Sequence, residues 1–160
     1  MSTILPWGLL ALLAALLLVA TWTDLRSRTI PNWLNLAIAV LAVPFWWASN
    51  LPLWPDAVLQ IGVALLIFSL FAGVFALGAM GGGDVKMIGA LALWLPWQAL
   101  LVMLVIMSIA GGVLTVALLI RRKLARSETP IEVPYGVAIA FGGLWVIAPV
   151  LSERILYQFG

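Results

Sequence analysis

The chain contains no cysteine and no histidine. Those two absences exclude more chemistry than any residue present supplies. Thiol nucleophiles, disulfides and cysteine zinc sites are ruled out. So are Ser-His triads, histidine general bases and HExxH metal sites. Any catalysis must draw on Asp, Glu, Lys, Ser, Thr or Tyr, with no metal site and no cofactor expected. Charge is scarce as well: 9% of the 160 residues are charged, against 65% hydrophobic. A soluble domain of this length could not hide so much apolar surface, so the surplus must face lipid. The longest polar stretch, Arg121 to Pro134, is too short for a separate soluble domain. The expectation is one membrane-embedded domain over residues 1–160. The net charge of +2 does not suggest nucleic acid. The basic residues sit in short clusters between apolar runs, which is a topology signal.

A membrane helix needs roughly 20 apolar residues, so the chain has room for about six. The predicted helices run Ile4–Thr23, Trp33–Trp47, Ala57–Ala79, Val85–Leu95, Gln98–Ile120 and Tyr135–Leu151. The first lacks a positive n-region and is followed by Arg26 and Arg28, so it reads as a retained span rather than a signal peptide. With both termini outside, the loops after helices 1, 3 and 5 are cytoplasmic. They hold Arg26, Arg28, Lys86, Arg121, Arg122, Lys123 and Arg126, leaving only Arg154 of the 8 basic residues on the other side. That bias sets the orientation. The fourth helix rises only about 16 Å, roughly half the bilayer core. The glycine-rich loop Gly81–Gly83 before it is therefore predicted to dip into the membrane and to line a protein-enclosed cavity. Trp46, Trp47, Trp54, Trp94 and Trp97 fall near the predicted outer boundaries, as an aromatic belt would.

Asp24 ends the first predicted helix and Asp84 starts the fourth, both on the cytoplasmic side. Carboxylates at membrane depth are costly and mark function by default. Two of them sharing a water make an acid-base pair, because like-charge repulsion keeps one protonated. Blander readings stand beside this one. Asp84 after glycines is a good helix N-cap, and Asp24 with Arg26 and Arg28 could be an interfacial charge cluster. Lys86 is either a substrate contact or a snorkelling lysine. Pro134-Tyr135-Gly136 is more simply an ordinary helix start. A proton- or cation-coupled transporter using the same aspartates is the alternative of another class. Geometry disfavours a Ser69/Lys86 peptidase dyad, since Ser69 should lie about two to three turns from the glycine loop.

Three segments resemble one family. Asp24-Leu-Arg-Ser-Arg-Thr-Ile-Pro-Asn32 is similar to the segment after the first catalytic aspartate of type IV prepilin peptidases. Gly81-Gly-Gly-Asp-Val-Lys86 resembles their GxGDxK motif, and Val133-Pro-Tyr-Gly-Val-Ala138 a third segment before the last helix. The resemblance implies an all-α polytopic aspartic peptidase of the bacterial inner membrane. It would cut a short basic leader from prepilins or pseudopilins after a glycine, at the cytoplasmic face. Asp24 and Asp84 would be the catalytic pair, Gly81 and Gly83 the loop glycines, and Lys86 a supporting residue. Larger members add a cytoplasmic segment, often with a four-cysteine zinc site, and an N-methyltransferase activity. This sequence has no room for that segment and no cysteine, and resembles the short form associated with Flp-type (tight adherence) pilus systems.

The orientation has a direct test, since the native sequence offers no competing thiol. An Asn50→Cys variant should react with an impermeant maleimide from outside. Ser127→Cys should react only after permeabilisation. The reverse pattern would overturn the orientation.

Overall fold

The computed structural model describes residues 4–125 and 133–159, with side chains described through residue 152. Arg126, Ser127, Glu128, Glu132 and Arg154 lie outside these limits. Among the described residues the chain forms six α-helices and no strand: α1 Leu5–Ser27, α2 Asn32–Ala48, α3 Val58–Ala76, α4 Gly82–Ala92, α5 Trp97–Ala125 and α6 Tyr135–Phe159. A segment kinked at Trp54 (φ −126, ψ 132), Leu53–Ala57, leads into α3. Four stretches are long and apolar enough to cross a membrane: Leu5–Ser27, Leu53–Ala76, Trp97–Ala125 and Tyr135–Ser152. The all-α polytopic membrane architecture expected from composition is the one the chain adopts.

Three helices clearly overrun their expected ends, among them α6, which runs to Phe159 rather than Leu151. The α1 helix continues a turn past Thr23, and α5 continues through Arg121, Arg122 and Lys123. Leaving an apolar run does not end a helix, because the backbone hydrogen bonds continue into polar sequence. Cations in the last turn of α5 also complement the negative end of the helix dipole.

The shortest helix is the most central. Seven of the 11 residues of α4 are buried, from Val85 through Ala92. By contrast, α3 fully buries only Ala64, and half-buried Val63, Ile67 and Phe71 pack against the core. A helix this short leaves free carbonyls at its C-terminal end, and in an apolar interior each needs a donor. Gln60 of α3 donates its side-chain amide to the Ala92 carbonyl at 2.7 Å and also to that of Leu95. Trp46 of α2 donates its indole N–H to the Leu93 carbonyl at 2.7 Å. Trp94 is buried, donates to the Ile38 carbonyl at 2.8 Å and lies against the Phe45 ring. It is therefore a core anchor rather than a member of the aromatic belt, and Trp46 is half-buried. Trp47, Trp54 and Trp97 remain exposed, as a belt requires.

Close glycine contacts set the register between helices. A Cβ on Gly142 of α6 would lie 2.8 Å from the Met103 carbonyl oxygen and 3.3 Å from the Met107 amide of α5. Gly111 faces the Tyr135 ring, so α5 and α6 run antiparallel. Gly143 faces Leu17 of α1 and Leu91 of α4, which seats α6 against both.

Backbone cannot yield at the α5–α6 crossing as a side chain could, so Gly142→Ala should separate the helices. Overpacking of this kind costs about 1–3 kcal/mol, and the detergent melting temperature should fall. Gly112→Ala is the control. Its Cβ would meet nothing within 4 Å, and alanine is the better helix former by about 1 kcal/mol. Equal melting of the two variants would contradict the crossing.

Candidate active site

On α1 the buried side chains follow the stripe Leu10, Leu13, Leu17, Ala20, Asp24. The spacing of three and four residues is that of a core-facing seam. Asp24 thus occupies a core position and is only 4% exposed. The helix closes three residues later, where Arg28 takes the left-handed conformation (φ 54) and its N–H donates to the Asp24 carbonyl at 2.9 Å. Asp24 therefore lies inside α1 rather than at its end.

A buried carboxylate needs donors. Those of Asp24 come from the first turn of α6, where backbone N–H groups lack partners within the helix. The Val137 N–H donates to Asp24 Oδ2 at 3.1 Å, while also approaching the Pro134 carbonyl at 3.2 Å. The Gly136 amide bonds the same carboxyl. The positive end of the α6 dipole points the same way. Any side chain on Gly136 would intrude, since its Cβ would stand 2.8 Å from Asp24 Oδ2 and 2.7 Å from Ile30 Cδ1. Pro134-Tyr135-Gly136 is thus more than an ordinary helix start: it holds Asp24.

Asp84 is the third residue of α4, and Gly81 is the extended N-cap (φ −74, ψ 146). The expectation of Asp84 as the cap itself is corrected by three positions. Its carboxyl reaches back to the Gly81 backbone amide, the reciprocal half of a capping box. A Cβ on Gly81 would lie 3.0 Å from Asp84 Oδ2. Gly83 meets the connection between α1 and α2, where its Cβ would stand 3.3 Å from the Ile30 carbonyl and Cβ. Ile30 therefore bridges the starts of α4 and α6. The Asp24 and Asp84 carboxyls come close enough to interact electrostatically, and Arg28 acts on Asp24 in the same way.

Lys86 is exposed, and its Nζ donates to Asn32 Oδ1 at 2.8 Å. That bond ties the first turn of α4 to the first residue of α2. Asn35 was given no role in the sequence reading. Its Nδ2 donates to the Gly83 carbonyl at 3.1 Å, tying α2 to the residue before Asp84. Its only sequence signal is an amide inside an apolar run. Ser69 is exposed, and its hydroxyl is spent on the Leu65 carbonyl of its own helix at 2.8 Å. Nothing in that geometry favours a Ser/Lys dyad. Arg26 lies outside the cluster, with its guanidinium 5.7 Å from the centre of the Trp22 ring, as an interfacial anchor would.

Residues 11–116 match the sequence profile of the type IV leader peptidase family. A prepilin leader peptidase/N-methyltransferase of Pectobacterium carotovorum subsp. carotovorum is 33% identical over 143 residues, covering 87% of this chain and 50% of that protein. The proteins of the same name from Aeromonas hydrophila and Pseudomonas aeruginosa are 30% and 32% identical, covering 88% and 83% of this chain. The chain spans about half the length of these relatives: 50%, 49% and 48%. No solved structure matches it. With its profile spanning α1 to α5 and its relatives aligned over most of the sequence, the chain belongs to the type IV leader peptidase family.

Proposed function

We propose that this chain is a membrane aspartic endopeptidase that removes the N-terminal leader of prepilins or pseudopilins. The observation that carries the reading is the meeting of Asp24 and Asp84 at one end of the bundle, with Asp24 held by the first-turn amides of α6. Two carboxyls near enough to repel one another favour holding one proton between them. The ionised carboxylate takes a proton from water as the water oxygen attacks the peptide carbonyl. The protonated carboxyl donates to the carbonyl oxygen. Collapse of the tetrahedral adduct breaks the C–N bond, and a proton returned to nitrogen releases the new amino terminus. Lys86 stands beside the pair as a supporting residue, free to place one of its remaining N–H donors on substrate.

The same end of the bundle carries Arg26, Arg28, Lys86, Arg121, Arg122 and Lys123. The positive-inside bias therefore supports a cytoplasmic site. The protein would be a multi-pass component of the bacterial inner membrane, with both termini outside and substrate reaching the site along the bilayer surface.

The purified protein in lipid nanodiscs, incubated with a prepilin, should release a leader, read by mass analysis of the new amino terminus. Asp24→Asn and Asp84→Asn should each abolish cleavage while leaving yield and detergent melting near wild type. Full activity in either would sink the aspartate mechanism. A chain that moves cations across vesicles and cuts nothing would be the transporter instead.

The cradle of Asp24 gives a second expectation. Gly136→Ala should shift the carboxyl and lower kcat by about 10²-fold, the scale of a 1 Å misplacement. The folded yield should fall much less. Unchanged kcat in a folded Gly136→Ala protein would remove the α6 amides from the account.

A further inference from the structure

Asn35 is 4% exposed, and its Oδ1 has no hydrogen-bond partner. The amide cannot be turned to relieve this. The Gly83 carbonyl already takes Nδ2, and reversal would set two acceptors against each other. A buried acceptor without a donor is costly, so this oxygen awaits a group that brings an N–H.

Asn35 lines a groove of about 490 Å³. Helices α2 and α3 each pack on α4 but scarcely on one another, which leaves the cleft between them. Its walls include Leu36 and Ala39 on one side and Ala64 and Phe68 on the other, with Gly89 and Ala90 as floor. Small side chains at four of these six positions keep it open. Lys86 and Asn32 line it as well. A hydrocarbon chain would satisfy the walls but offers Asn35 no donor. A peptide satisfies both, with apolar side chains in the groove and a backbone N–H at its polar end. Lys86 keeps N–H donors beyond its bond to Asn32 for a backbone carbonyl.

We propose that this groove is the substrate subsite flanking the scissile bond. It takes an apolar peptide segment whose backbone N–H is accepted by Asn35 Oδ1. The placement follows from connectivity, because Asn35 holds the carbonyl of Gly83 and the next residue is Asp84. The proposal rests on the peptidase reading of Asp24 and Asp84, but its first test does not require cleavage.

In an Asp84→Asn background, benzoylphenylalanine is placed at Leu36, on the exposed rim of the groove. The protein is illuminated in nanodiscs with a synthetic peptide carrying a basic leader, a glycine and an apolar segment. Val105, exposed on α5, is the control position. Cross-linking to the peptide at Leu36 but not at Val105, lost with a peptide whose apolar segment is replaced by Ser and Gln, supports the subsite. Labelling of lipid alone, or equal labelling at both positions, overturns it. A peptide that cross-links at Leu36 but is not cut by the wild-type protein would leave the subsite standing and sink the peptidase reading.

Two further measurements address specificity and the hydrogen bond. With active enzyme, Ala39→Phe should raise KM about 10-fold for the apolar peptide, with kcat within about 2-fold. KM unchanged in a folded variant would count against the groove. In a scan of singly N-methylated peptides, one position should weaken binding about 10-fold to the native groove. The same methylation should cost less than about 2-fold in Asn35→Ala. If no position distinguishes the two proteins, Asn35 does not accept a substrate N–H.

Discussion

A carboxylate placed on the buried seam of a membrane helix must be given donors, and the rest of this fold follows from how Asp24 receives them. The donors are first-turn amides of α6, so α6 must begin at the depth of Asp24 and lie against α1. That in turn demands glycine at 136, where a side chain would strike the carboxyl, and close backbone approach at Gly142, where α6 crosses α5. Ile30 completes the arrangement by packing against Gly136 on one side and Gly83 on the other. The aspartate on α1 and the aspartate on α4 are thus brought together through a third helix and a single aliphatic side chain.

The short central helix obeys the same rule at its other end. The fold meets the carbonyls at the end of α4 with a glutamine and a tryptophan. Polar atoms in α2 and α3 that look out of place in apolar runs are there to close this backbone. Asn35 differs from Gln60 and Trp46 in one respect. Its donor is used within the fold, and its acceptor is left over.

Much of this was legible in the sequence. Lipid permits few backbone solutions, so apolar runs gave the six helices in order. Helix parity put Asp24 and Asp84 at one end. The motif order and the glycines pointed to the family. What could not be read was facing. Asp24 extends a seam of spacing three and four, but a run of leucines and alanines does not reveal which seam is buried. Trp94 has the same local sequence whether it meets lipid or core, and only the Ile38 carbonyl decides it. The role of Gly136 requires knowing that α6 returns to α1. Asp84 looked like a cap because glycines precede it. The helix instead starts three residues before Val85, since Gly81 is extended and Gly82, Gly83 and Asp84 are helical.

The bond between Val137 and Asp24 spans 113 positions of chain. Its two partners are therefore synthesised well apart in time. Until α6 has entered the bilayer, Asp24 has no amides to hold it. Five helices already inserted would present a bundle with an unfinished centre. Entry of α6 and closure of the Asp24 cradle are therefore a single event, and α1 to α5 alone leave that carboxyl without its amides.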